Sequence, residues 1–204
     1  PPVFSHRYIP EETDMNRCFG QGGTTNQEQL ADQLIAMLIK FCPEAVVDTH
    51  NTSAHSEPFA VATSREIKLR QVTQLFTKKL VVLDQSLGTL IEQDIGCPVV
   101  TVEFGGFLDS NADELALSSL ERFVCKRHLF DTEPEPFMEL QSPLRLEVQP
   151  TANLHYSTTV ESAGDVTIYN TIDQLNFRRL KANTTIGWTN EEGLNQLLVL
   201  NAEK

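Results

Sequence analysis

Apolar residues recur along this chain in two rhythms, a helical spacing near 3.6 residues and short unbroken runs. Between residues 26 and 41 (NQEQLADQLIAMLIKF), Leu30, Leu34, Met37, Leu38 and Phe41 fall at helical spacing, which predicts an amphipathic α-helix. Pro43 follows it, and Ala45-Val46-Val47-Asp48 is a short apolar run of the kind that forms a buried strand. The Ser/Thr/Pro-rich stretch from Asn51 to Ser64 reads as a loop. A helix is expected from about Arg65 to Lys78, then a strand at Leu80-Val81-Val82-Leu83. A short helix from Leu87 to Gln93 leads through Gly96 and Pro98 into a second buried strand, Val99 to Phe104, which Gly105 and Gly106 end. Residues 111–129 predict a further helix with Asn111 as its cap. Strands alternating with helices imply an α/β sheet with helices on its faces.

The rhythm changes near Thr132. Glu133-Pro134-Glu135-Pro136 and Ser142-Pro143-Leu144 mark a linker, and short β-rich pieces follow: Arg145–Val148, Tyr156–Val160, Val166–Tyr169, Thr184–Trp188 and Leu197–Leu200. The reading is one α/β domain over residues 1–140 and a small, mainly β domain over 141–204. The first 23 residues are irregular, broken by Pro1, Pro2, Pro10, Gly20, Gly22 and Gly23.

Composition narrows the function classes. A formal net charge of -12 argues against nucleic acid, whose phosphates need clustered Lys and Arg, and against an anionic membrane surface. It leaves room for a small acidic molecule met by a few local arginines. No run of about 18 apolar residues is present, and PPVFSHRY lacks the features of a secretion signal, so a cytoplasmic location is expected. Cys18, Cys42, Cys97 and Cys125 lie far apart with no CxxC pair and are expected to be reduced, mostly buried thiols.

Three stretches carry chemistry. In Val46-Val47-Asp48-Thr49-His50-Asn51-Thr52-Ser53, a strand delivers Asp and His to its C-terminal end, where open α/β sheets place ligands. A neutral imidazole there suits zinc, and the nearby carboxylate could fix its tautomer. In Val99-Val100-Thr101-Val102-Glu103-Phe104-Gly105-Gly106, a carboxylate emerges from an apolar strand, a setting that favours proton transfer near neutral pH. In Asp14-Met15-Asn16-Arg17-Cys18-Phe19, with Arg7-Tyr8 before it, the Arg fork can hold a carboxylate and Asn can add a donor. Taken singly, each has a plainer reading: a surface histidine, a strand-end glutamate and a solvated loop.

Together, in this order, R-Y-x(5)-D-M-N-R-C-F, D-T-H-N-T-S and T-V-E-F-G-G resemble the succinylglutamate desuccinylase/aspartoacylase family, within the wider zinc carboxypeptidase fold. The resemblance runs best over residues 7–106. It implies a zinc carboxypeptidase-like mixed sheet flanked by helices, with the β-rich tail as the family's small C-terminal domain. It further implies His50 as the third zinc ligand, Asp48 as the partner orienting it, and Glu103 as general base and proton shuttle. Asn16 and Arg17 would bind the substrate or the carbonyl oxygen, with Arg7, at slightly longer spacing, as a further substrate contact. The implied reaction is zinc-assisted hydrolysis of the amide bond of an N-acyl amino acid. The alternatives are a carboxypeptidase-like peptidase and a non-catalytic binding relative.

The sequence departs from that family in two ways. The family takes two zinc ligands from an upstream H-x-x-E motif, whereas His6 here is followed by Arg7, Tyr8 and Ile9. The expectation is an N-terminally truncated chain that binds zinc poorly and is inactive as written. Where aspartoacylase carries a substrate-holding Arg upstream of the catalytic Glu, this chain reads Glu92-Gln93-Asp94, which leaves the acyl group and amino acid open. His55 is expected to line the pocket rather than bind metal, His128 and His155 to be structural, and Trp188 to belong to the core of the small domain.

Overall fold

The structure is a computed structural model and describes residues 12–141, 143, 145–160, 164–190, 195 and 197–200. Arg7 and the His6-Arg7-Tyr8-Ile9 stretch lie outside the described residues.

Helix α1 (Asn26–Phe41) begins at a capping box. Thr25 Oγ1 accepts from the Glu28 N–H at 3.3 Å, and Glu28 Oε2 accepts from the Thr25 N–H at 2.9 Å, which satisfies two donors the helix cannot. It ends at Cys42 in the left-handed region, φ 50°. Strand β1 (Val46–Thr52) is next, then β2 (Phe59–Ala62), helix α2 (Ile67–Thr73), β3 (Lys79–Val82), β4 (Val99–Gly106), helix α3 (Ser110–Cys125) and β5 (Met138–Gln141). The five strands form one sheet in the order β1-β4-β2-β3-β5. Only the β2–β4 pair is antiparallel, so the sheet is mixed.

Both faces of the sheet are covered. Leu69, Val72 and Phe76 in and after α2, with Ala112 of α3, pack on Ala60, Ala62, Leu80, Val100, Val102 and Phe104. Ala31, Leu34, Ile35 and Leu38 of α1 pack with Leu90, Ile91, Val46, Val61 and Val99 on the opposite face. Leu80, Val100 and Val102 are fully buried, each burial stabilising by about 1.5–3 kcal/mol. Beyond this sheet, β6 (Arg145–Val148) pairs with the last strand, which is β10 (Leu197–Leu200). Strands β7 (Leu154–Ser157), β8 (Val166–Tyr169) and β9 (Gly187–Thr189) form a three-stranded sheet in which Trp188 packs edge-on to Tyr169. Among the described residues, no helix is long and apolar enough to cross a membrane.

Several elements differ from the sequence reading. β1 continues past Asp48 to Thr52, because pairing with β4 carries polar residues as readily as apolar ones. The stretch expected as a loop over 51–64 contains β2, and the expected linker contains β5, an edge strand on β3. Helix α2 is shorter than expected and α3 ends at Cys125 rather than Leu129. β4 runs on through Gly105 and ends at Gly106 rather than at Phe104. The strands expected at Tyr156–Val160 and Thr184–Trp188 are shifted to Leu154–Ser157 and Gly187–Thr189. On α1, Leu30, Met37 and Phe41 are exposed, since the apolar stripe is wider than the strip the sheet covers. Of the cysteines, Cys18 is buried while Cys42 and Cys125 are exposed, and all four are free.

Candidate active site

The site arises from the pairing of β1 with β4. The two strands run parallel in register, with Asp48 opposite Thr101 and His50 opposite Glu103. Side chains alternate between faces along a strand. Val46 and Val99 pack on the α1 side, so Asp48, His50, Thr101 and Glu103 share that side. Adjacent strands lie about 4.8 Å apart, which makes His50 and Glu103 direct neighbours. Glu103 is half-buried, the one position of β4 that is not buried.

Hydrogen bonds fix the histidine. Asp48 Oδ2 lies 3.0 Å from His50 Nε2 and accepts from the Thr101 hydroxyl at 3.2 Å. An ionised carboxylate only accepts, so this geometry places the ring proton on Nε2. In the neutral ring Nδ1 then carries the lone pair, the atom through which His50 could bind a metal.

The third stretch is a single 3-10 turn, Met15–Arg17. Asp14 caps it by accepting from the Asn16 N–H at 3.0 Å, and the buried Cys18 and Phe19 anchor its C-terminal end. A cavity of about 370 Å³ is lined by Asp14, Asn16, Asp48 and His50, with Phe19 and Leu34 among its apolar walls. Asn16, Asp48 and His50 thus come together, with Glu103 beside His50 in the sheet. Arg17 is exposed and its guanidinium bonds back to the Asn16 carbonyl, so its side chain is not part of this lining.

Glu92 pins the loop that precedes it. Its Oε1 accepts from Leu87 N, Thr89 N and Thr89 Oγ1 at 2.9, 3.1 and 2.6 Å, and its Oε2 from Ser86 Oγ and Gly88 N at 2.8 and 3.1 Å. Burial pushes its pKa up, but these donors outweigh burial and hold it below the ordinary glutamate value. The loop it pins supports the 3-10 turn, for the Gly88 carbonyl accepts from Phe19 N–H at 3.0 Å. A Cβ on Gly88, where φ is +72°, would sit 2.6 Å from the Arg17 carbonyl oxygen.

Two groups escaped the sequence reading. Thr101 shares a face with Glu103 by simple alternation, a signal present in the run Thr101-Val102-Glu103. The role of Glu92 had no local signal beyond its place three residues after Thr89. His55 lies not in the cavity that His50 lines but in a second one, and its backbone N–H donates to Asp173 Oδ2 at 3.3 Å.

Zinc needs about three protein donors in a catalytic site. Among the described residues, no group of three or more His, Cys, Asp and Glu side chains is placed to hold a metal ion. His50 offers one nitrogen, with Asp48 engaged in orienting it. The described donor set therefore does not by itself fit zinc.

No protein-family model matches the chain, and no curated protein matches its sequence. Solved structures do match. A succinylglutamate desuccinylase from Vibrio parahaemolyticus superposes with a TM-score of 0.60 at 15% identity, over 97% of this chain and 60% of that one. A succinylglutamate desuccinylase/aspartoacylase from Rhodobacter sphaeroides gives 0.55 at 18% identity, over 97% and 62%. The ectoine utilization protein EutE (DoeB) from Ruegeria pomeroyi gives 0.53 at 20% identity, over 87% and 59%. The chain spans about 60% of the length of these structures. Its mixed sheet, flanking helices and small β portion have the fold of the succinylglutamate desuccinylase/aspartoacylase structures.

Proposed function

We propose that this chain carries the greater part of a hydrolytic site that cleaves the amide bond of an N-acyl amino acid. The observation that carries the reading is the in-register pair of His50 and Glu103, beside a cavity that Asn16, Asp48 and His50 line. The fold shared with structures named as desuccinylases supports it.

In this reading Glu103 takes a proton from water, and the water oxygen bonds to the acyl carbonyl carbon. The C–N bond then breaks, and Glu103 passes the proton to the leaving amine, giving a free acid and a free amino group. The Asn16 side-chain amide donates to the substrate, while Arg17, on the exposed rim, attracts a substrate carboxylate. Asp48 keeps the His50 ring in one orientation and tautomer. Zinc belongs to the proposal as the metal of the complete site, with His50 as one ligand. No step above is routed through it, because the described residues do not complete its donor set.

The test is turnover of a panel of N-acyl amino acids by the protein expressed from its complete reading frame, with metal content measured alongside. Glu103→Gln is expected to lower kcat by about 10²–10⁴-fold while leaving any bound zinc in place. Normal turnover in that variant sinks the mechanism.

A further inference from the structure

A second cavity opens beyond the C-terminal ends of the same two strands. It measures about 710 Å³ and is lined by Ala54, His55, Gly106, Phe107, Leu108 and Asp173, among others. Gly106 pairs with Thr52, two residues past His50, across an irregularity in the register, and Ser53 follows Thr52, so the cavity begins about 7–10 Å along the strands from the proposed reacting groups.

The chain is built to keep this cavity in place. A Cβ on Gly106 would stand 3.1 Å from the Ala54 carbonyl oxygen, and one on Gly105 would stand 3.1 Å from that of Ser56. The two glycines thus let the 54–56 loop lie directly on β4. The β portion holds the loop from the other side. Asp173 accepts from the His55 N–H at 3.3 Å, and the Asn176 side chain donates to the His55 carbonyl at 2.7 Å. Phe177 lies tilted against Phe59, with ring centroids 4.9 Å apart and planes 48° apart, closing the contact.

The lining chooses among ligands. Phe107 is 63% exposed and Leu108 86% exposed, large apolar groups left in water beside the cavity. The charged groups of the lining are the carboxylates Asp109 and Asp173, with His55 as the sole base. A carboxylate entering here would face two others, whereas an apolar group would cover Phe107 and Leu108 and remove their surface from water.

Resting on the hydrolase reading for the reacting centre, we infer that this cavity is a specificity subsite for an uncharged, apolar substituent of the substrate, with Phe107 and Leu108 as its contacts. The substituent is an acyl chain or an amino-acid side chain. In either case the cavity disfavours the dicarboxylic substrates that the names of the desuccinylase structures indicate.

The experiment is calorimetric binding to the protein from its complete reading frame, wild type and Leu108→Asp. The probes are N-hexanoyl-glycine against N-succinyl-glycine, and N-acetyl-leucine against N-acetyl-glutamate. The first pair reports the acyl chain as the occupant and the second the side chain. Expected is at least tenfold tighter binding of the apolar member of one pair, reduced at least fivefold in Leu108→Asp. Equal or tighter binding of both charged members, no binding of either apolar probe, or an indifferent Leu108→Asp overturns the subsite. Turnover is scored separately. Discriminating binding without hydrolysis refutes the hydrolase reading and leaves the apolar subsite standing.

Discussion

Replacing Glu92 tests how the site is held together. The carboxylate receives five hydrogen bonds from residues 86–89, and that loop carries the Gly88 carbonyl bonded to Phe19 beside the Asn16 turn. In Glu92→Gln the amide oxygen can keep the three donors on the Oε1 side. The amide nitrogen then faces the Gly88 N–H, a donor against a donor, while the Ser86 hydroxyl can turn to accept. One stranded donor costs about 1–3 kcal/mol, and the half-exposed position trims this to about 1–2 kcal/mol. Glu92→Ala strands all five donors, of which several regain water, for about 3 kcal/mol. For a chain of this size that lowers the melting temperature by about 6–12 °C, measurable with urea and thermal denaturation. Hydrogen exchange at the Phe19 amide should quicken in both variants. A carboxyl held below its ordinary pKa stabilises the fold fully above the unfolded value of about 4.3, and the contribution is lost as pH falls through the lower folded value. Glu92→Ala should therefore lack that part of the wild-type loss of stability below about pH 4.3. Melting of both variants together with the wild type would refute the view that Glu92 organises the loop.

Other parts of the fold yield three further expected outcomes. Cys42 closes α1 with φ 50°, so Cys42→Gly should stabilise by about 0.5–1 kcal/mol in chemical denaturation, and a loss of stability would show that the thiol makes a compensating contact. Gly106→Val should push the 54–56 loop off β4 and cost about 1–3 kcal/mol by overpacking, with an unchanged midpoint counting against the close contact to Ala54. On the proposed zinc reading, Asp48→Asn in the protein from its complete reading frame should weaken zinc binding by about 10–100-fold in a competition titration, and undiminished affinity would remove Asp48 from its orienting role.

Dense apolar patterning made α1, the cores of β1, β3 and β4, and most of α3 legible in the sequence. The sequence also delivered Asp48 and His50 to the C-terminal end of β1, but that the two share one face emerged only once β1 was seen to run on to Thr52. Short strands with little pattern of their own escaped it. β2 and β5 exist because β4 and β3 offer unpaired edges, a property of the assembled sheet rather than of Phe59–Ala62 or Met138–Gln141. The same holds for the site. Local order names Asn16, His50 and Glu103, but only the parallel register sets His50 against Glu103. Only the packing of Phe19 under Gly88 brings the Asn16 turn to the same cavity. The acidic stretch at Glu92 shows the limit most clearly. As sequence it is a charge where an arginine was expected, and its work as a loop anchor emerges once five donors from residues 86–89 converge on it. Periodicity is a property of neighbours along the chain, whereas register and convergence depend on residues that folding brings together.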